Sequence, residues 1–398
     1  MSSRAVASKT ESVQEVLRPT SALNSEKARR FLLIPLSLLF GLCLIEFPAA
    51  LNLVNYSRLV GPAAMDVFLA TNKGDPELLH IHPTHSHFSG EARGGNIAAN
   101  FKLPPAATTL YRWNVNYDQN GFRNELDLKS ADLAVIGDSF VEETTISTAQ
   151  LMTSRLAHLE SKVVANLGQY GYGPLEELAV LKRYALPLHP RTVLWMFYEG
   201  NDLKDAIHYR NVTMGTHKPP SYWTKSWERS FTSNALAQVY FRLRPALRPS
   251  GIKHSGVMQT SDGNKLTVYF LYSSLPFTKE DVGALDDTTR TIATASKLCE
   301  AQGVHLIFVF IPTKFRVYHS FCQFPRESDC SEWVLNDLPD RLEKAVEAIS
   351  PQIGYLDLTP NLVDAVGKGT APYYSDDDHW TPEGQEIAAE ATNNYLNK

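Results

Sequence analysis

The sequence predicts a three-layer α/β/α sandwich on a mostly parallel five-stranded sheet, preceded by one N-terminal transmembrane helix. Two observations carry that expectation. From residue 131 onward, short apolar runs alternate with longer segments of helical period, the pattern of crossover helices between parallel strands. Before that, the stretch 31–53 holds Glu46 as its one charge, and it is about long enough to cross a hydrocarbon core of roughly 30 Å.

Residues 1–30 are polar and serine-rich, and are expected to be a disordered cytoplasmic tail. Lys27, Arg29 and Arg30 precede the span 31–53, which keeps the N-terminus cytoplasmic and puts the rest of the chain outside by the positive-inside rule. Pro48-Ala49-Ala50 resembles a signal-cleavage site, but the apolar stretch exceeds the usual signal core of roughly 7 to 15 residues, so an uncleaved anchor is expected. Glu46, near the outer end, reads as a carboxylate reaching the interface. Residues 54–130, with Leu103-Pro104-Pro105, read as a stalk and N-terminal extension packing onto the domain. Their cluster of His80, His82, His85 and His87 would ligate a metal only if ordered, and Pro83 favours a solvated loop.

The domain proper is expected over 131–398. Strands are predicted at Asp132–Ile136, Lys162–Ala165, Thr192–Phe197, Val304–Phe310 and Gly354–Leu358. Helices are predicted at Thr148–Leu159, Pro174–Ala185, Lys279–Gln302, Trp333–Ser350 and Pro382–Tyr395. The alternation breaks over about 203–280, read as an inserted lid or substrate platform with one strand-like run, Thr267–Leu271. Its Trp223, Trp227 and Tyr240 suit core packing first and sugar stacking second.

Chemistry gathers at strand exits, where open α/β sheets place function. Gly137-Asp138-Ser139-Phe140 follows the first strand, so Ser139 sits on a tight turn where a distant base can reach its hydroxyl. Asp376-Asp377-Asp378-His379 near the C-terminus supplies a base and a carboxylate to orient it. Gly171, after the second strand, and Asn201, after the third, suit the roles of backbone and side-chain donors to an oxyanion. Each piece alone also reads as a turn glycine or a helix cap. Four of them at strand exits do not.

These residues resemble the SGNH hydrolase superfamily, the GDSL esterases and lipases, over about 115–398, and the resemblance implies a flavodoxin-like SGNH fold. It implies Ser139 as nucleophile and first oxyanion donor, with Gly171, Asn201 and His379 as the other block residues. Asn120-Gly121-Phe122-Arg123 and Ile311-Pro312-Thr313-Lys314 resemble bacterial members linked to polysaccharide O-acylation. Glu199-Gly200-Asn201-Asp202 departs from the commoner Gly-x-Asn-Asp. The family carboxylate lies two or three residues before the histidine, so both Asp376 and Asp377 qualify, and Asp376 is the first choice.

With 398 residues and a net charge of −5, the chain can bury a large core and has no basic balance pointing to nucleic acid. Cys322 and Cys330 flank a short polar loop and are expected to form a disulfide outside the cytoplasm, while Cys43 and Cys299 read as apolar filler. No Cys/His spacing suits zinc, and no cofactor is expected. The combined reading is a serine esterase or O-acyltransferase held at the inner membrane, with its catalytic domain in the periplasm. It would act on an acylated carbohydrate, and as a transferase it would need an acyl-donor exporter as partner. The other readings are a lipid-ester hydrolase and a non-catalytic polysaccharide-binding assembly protein.

Overall fold

The computed structural model describes residues 20–51, 53–56, 73–101, 103, 107–215, 222–237, 239, 253–259, 263–272 and 276–398. The chain forms two compact units. One comprises Met1–Pro62 and Pro220–Arg242, the other Ala63–Pro219 and Leu243–Lys398.

The larger unit is built on five parallel strands: β1 (Leu133–Gly137), β2 (Val164–Gly168), β3 (Thr192–Tyr198), β4 (His305–Ile311) and β5 (Gly354–Asp357), in the order β5-β4-β3-β1-β2. The five predicted strands are these five, displaced by up to a few residues. Alternate side chains point to opposite faces of a strand, and here both faces are apolar. On β3, Val193, Trp195 and Phe197 enter one core while Leu194, Met196 and Tyr198 enter the other. On β4, Leu306, Phe308 and Phe310 join the first core, and Ile307, Val309 and Ile311 the second. Burying a side chain of this size contributes about 1.5–3 kcal/mol, so strands buried on both faces hold the sheet between two helical layers. The helix Lys279–Ala301 closes one face through Ile292, Ala295 and Cys299, and the helix Pro382–Leu396 the other through Ala388, Ala389 and Ala391.

Strand order reverses between β1 and β3, the switch point at which the carboxyl ends of strands leave a crevice. Ser139, Gly171 and Asn201 lie just beyond β1, β2 and β3, around that point.

Several expectations change. Residues 73–116 do more than a stalk would: within the larger unit they form an antiparallel hairpin, Lys73–Asp75 with Leu79–Ile81, and a second antiparallel pair, His87–Arg93 with Leu110–Asn116, whose connection carries the short helix Asn96–Phe101. Pro104 and Pro105 lie outside the described residues. The 203–280 insertion is divided. Its start lies in the helix Asp202–Thr213, Pro220–Arg242 belongs to the smaller unit, and Ser255–Gln259 and Lys265–Tyr269 form a small sheet with Cys322–Gln323. Tyr240 lies outside the described residues. Cys322 and Cys330 are free thiols, against the expected disulfide. Burial pushes their ionisation up to about 12 and about 11, so both are held in the protonated form that does not attack a disulfide.

In the smaller unit, the helix Thr20–Ala50 contains an 18-residue stretch, Leu33–Ala50, long and apolar enough to cross a membrane. Helix therefore replaces the expected disordered tail over 20–30, and residues 1–19 lie outside the described residues. Glu46 is not a free interfacial carboxylate. Its two oxygens accept the backbone N–H groups of Phe231 (3.0 Å) and Thr232 (2.6 Å), the first amides of a helix over 231–237. Those amides have no acceptor within their own helix, and a negative charge there is favourable.

Candidate active site

The turn that carries Ser139 is made locally. Gly137 ends β1 where an added Cβ would meet Val141 and Met196 at 2.7 and 3.0 Å, so the chain can turn there only without a side chain. Asp138 caps the short helix Ser139–Glu142 by accepting the Phe140 N–H at 2.9 Å, which leaves Ser139 as its first residue. Ser139 Oγ lies 2.8 Å from His379 Nε2, and His379 Nδ1 lies 2.6 Å from Asp377 Oδ1. Serine, imidazole and carboxylate thus form one relay.

The orienting carboxylate is Asp377, which corrects the first choice of Asp376. Asp377 also accepts the amides of His379 (2.8 Å) and Asn96 (2.7 Å). Asp376 turns away from the imidazole and is occupied by the Thr109 amide and hydroxyl (both 2.8 Å) and the Tyr111 hydroxyl (2.7 Å). Gly95 makes this approach available, because an added Cβ would lie 2.1 Å from Asp377 Oδ2. Burial opposes charge on His379, but the Asp377 carboxylate, its hydrogen bond and the nearby Glu143 and Asp138 raise the imidazole pKa above its ordinary 6.5. Burial likewise works to raise Asp377, and the imidazole outweighs it, holding the carboxyl below its usual range.

The Gly171 side of the site is held from behind. Gly171 adopts φ +74°, the left-handed region that favours glycine, and among the described residues its N–H has no hydrogen-bond acceptor. The peptide before it is gripped at both ends. Tyr170 N–H donates to Glu142 Oε2 at 2.5 Å, and the Tyr170 carbonyl accepts from His80 Nε2 at 2.8 Å. Glu142 is buried and also accepts from His82 at 2.9 Å and from the Tyr117 hydroxyl. His80 and His82 are therefore supports of the site rather than a solvated loop, and among the described residues no group of three or more His, Cys, Asp or Glu is placed to hold a metal. Asn201 donates its side-chain amide to Asp205 at 2.6 Å and lines the same cavity as Ser139, Gly171 and His379. That cavity has a volume of about 220 Å³, walled by Tyr170, Tyr198 and Tyr272.

The sequence phrases outside the four site blocks also find their reasons. Arg123, buried, donates to the carbonyls of Glu142 (3.0 Å) and Ile146 (2.7 Å), bracketing the segment after the nucleophile helix. Gly121, at φ +82°, passes so close to His82 that a Cβ would meet its carbonyl oxygen at 2.3 Å. Glu199 accepts from Arg316 Nε (2.9 Å) and from the Thr313 amide (2.8 Å), so the departure from the family's glycine ties the end of β3 to the loop after β4. Lys314, buried, donates to the carbonyls of Tyr374 (2.7 Å) and Ser375 (3.0 Å) just before Asp377. Lys314 was legible only as part of a family phrase. Thr109, Tyr111, Asn96, Glu142, His80 and Tyr117 carried no sequence signal beyond the histidine cluster.

A parallel five-stranded sheet with a serine at the switch point, paired through histidine to a carboxylate, defines the acyl-modifying class of α/β enzymes. Residues 270–398 match the family model of the SGNH hydrolase-like domain of the acetyltransferase AlgX. Together with the blocks described above, that match makes this part of the chain similar to the SGNH (GDSL) hydrolases. Among solved structures, an acetylxylan esterase from Geobacillus stearothermophilus is similar at 13% identity, covering 67% of this chain and 94% of its own, with a TM-score of 0.35. A GDSL-like lipase from Bacteroides thetaiotaomicron is similar at 13% identity, covering 67% and 87%, with a TM-score of 0.33. No curated protein matches the chain.

Proposed function

We propose that this chain is an exported, membrane-anchored serine enzyme that removes or transfers O-acetyl groups of a cell-surface polysaccharide. The observation that carries the reading is the continuous relay from Ser139 Oγ through His379 to Asp377. His379 Nε2 accepts the Ser139 proton as Oγ attacks the ester carbonyl, and Asp377 holds the imidazole tautomer. The oxyanion is met by the Ser139 and Gly171 amides and by the Asn201 side chain. His379 then returns its proton to the departing alkoxide, leaving an acetyl-serine. Water resolves that intermediate in an esterase, and a sugar hydroxyl resolves it in a transferase.

A cavity of about 220 Å³ suits a short acyl group better than a lipid chain, since pockets for drug-sized ligands run to roughly 300–1,000 Å³. The match to the AlgX domain family supports a polysaccharide as substrate. The Leu33–Ala50 helix supports anchoring, because its end is hydrogen-bonded to Phe231 and Thr232 rather than left as a removable leader. A transferase would further require a partner that delivers acetyl groups across the membrane, a task beyond one helix.

Fluorophosphonate labelling of Ser139, followed by mass spectrometry of an acetylated oligosaccharide incubated with the full chain, tests the reading. Covalent labelling with release or relocation of acetyl groups is expected. An unlabelled serine and an unchanged glycan would sink it.

A further inference from the structure

The segment around 222–239 presents an apolar face left exposed among the described residues. Trp223 is 79% exposed, Trp227 56%, Leu236 57% and Val239 54%, with Tyr222 beside them at 55%. On the helix Tyr222–Arg229, Tyr222, Trp223 and Trp227 fall within an arc of about 140° at 3.6 residues per turn, and Thr224 and Glu228 lie on the opposite side. Such exposure rules out the core-packing role expected for the two tryptophans.

What this face meets is indicated by where it is tied. Glu46 accepts the Phe231 and Thr232 amides, the Tyr222 hydroxyl donates to the Ala50 carbonyl, and Tyr56 N–H donates to the Arg229 carbonyl at 3.0 Å. The Tyr56 and Phe231 rings pack edge to face, with centroids 5.6 Å apart. Each of these ties runs to the last turns of the apolar helix or just beyond it. Glu46 stands four residues before Ala50, a rise of about 6 Å, so the tied segment lies at the depth where the span leaves hydrocarbon for headgroups. That layer favours tryptophan and tyrosine, whose rings are apolar and whose N–H and O–H groups remain wet. Phe47, Leu51 and Leu53 are exposed at the same end of the helix.

We infer that the helices Tyr222–Arg229 and 231–237 form a membrane-interface platform, lying in the lipid headgroup layer and clamped to the outer end of the span through Glu46. The inference rests on the anchoring part of the proposed function and goes beyond it. The span then has a fixed outer collar instead of a loose tether. Glu46 satisfies two helix-end amides, whose N–H groups take the place of water around its oxygens and lower the cost of a carboxylate near the bilayer.

The full chain, reconstituted in phosphatidylcholine vesicles, offers a direct test because the helix 20–50 contains no tryptophan. Lipid brominated high on the acyl chain should remove up to about one third of the tryptophan emission, the share of Trp223 and Trp227 among six. The double variant Trp223→Phe/Trp227→Phe should lose that quenching and keep its activity on short acetyl esters. Equal quenching in both proteins, or quenching of the two tryptophans by aqueous iodide alone, would overturn the platform while the anchor stands. So would a raised KM for polysaccharide in the double variant without any change in lipid quenching, which would make the face a sugar platform. A chain that fails to float with the vesicles would remove the anchor and the platform together.

Discussion

The nucleophile turn and the acid–histidine loop meet at one relay, yet they are held in opposite ways. The turn at Gly137–Phe140 is shaped mainly by its neighbours in sequence: a buried strand before it, a glycine whose Cβ would meet Val141 four residues on, and an aspartate capping the next helix, with Met196 of β3 as the one distant wall. The loop at Tyr374–His379 is held from afar, by Lys314 on its carbonyls, by Thr109 and Tyr111 on Asp376, and by Asn96 on Asp377. A local motif can be read from a few consecutive residues. A loop fixed by partners some 60 to 280 positions away cannot.

That contrast can be broken by substitution, starting with the largest effect. Ser139→Ala should abolish fluorophosphonate labelling and lower kcat on a short acetyl ester by about 10⁶-fold, as loss of a serine nucleophile does, while circular dichroism stays unchanged. Activity persisting at the wild-type rate would show that another group attacks.

Asp377→Asn and Asp376→Asn separate the two neighbours. The first should slow kcat by about 10⁴-fold through the wrong imidazole tautomer. The second should keep most activity but cost about 1–3 kcal/mol of stability, measured by denaturant, because the Thr109 and Tyr111 donors lose a charged acceptor. The reverse pattern would return the orienting role to Asp376.

Asn201→Ala should retain labelling and lower kcat by roughly 10²–10³-fold, the usual cost of one oxyanion donor. Lys314→Met should lower it by roughly 10²-fold, with no direct contact to substrate, since a displacement of about 1 Å in the relay suffices. If Lys314→Met is as active as wild type, the distant support of the loop is not needed for catalysis.

The smallest effect is one of pH. The relay works with His379 neutral, and Asp377 raises its pKa above 6.5, so kcat/KM on an uncharged ester should climb as pH rises through a limb lying above 6.5. In Asp377→Asn the residual activity should show that limb moved to lower pH. A limb unmoved by the substitution would mean that the carboxylate does not set the imidazole.

By itself, the sequence determined the alternating α/β architecture, because strand period is a property of neighbouring residues, and it singled out Ser139, Gly171, Asn201 and His379, which the structure brings to one cavity. It also marked the apolar span. Only the tertiary structure decided between Asp376 and Asp377, since both occupy eligible spacings and the choice depends on which one Thr109 and Tyr111 draw away. The same holds for His80 and His82, whose roles exist only where their hairpin and loop reach Tyr170 and Glu142. Cys322 and Cys330 carry the spacing of a bridge, yet both stand as free thiols. Glu46 is a lone charge in an apolar run until residues 231 and 232 bring it two amides, for a side chain's partner is set by the path of the chain and not by its place in the row.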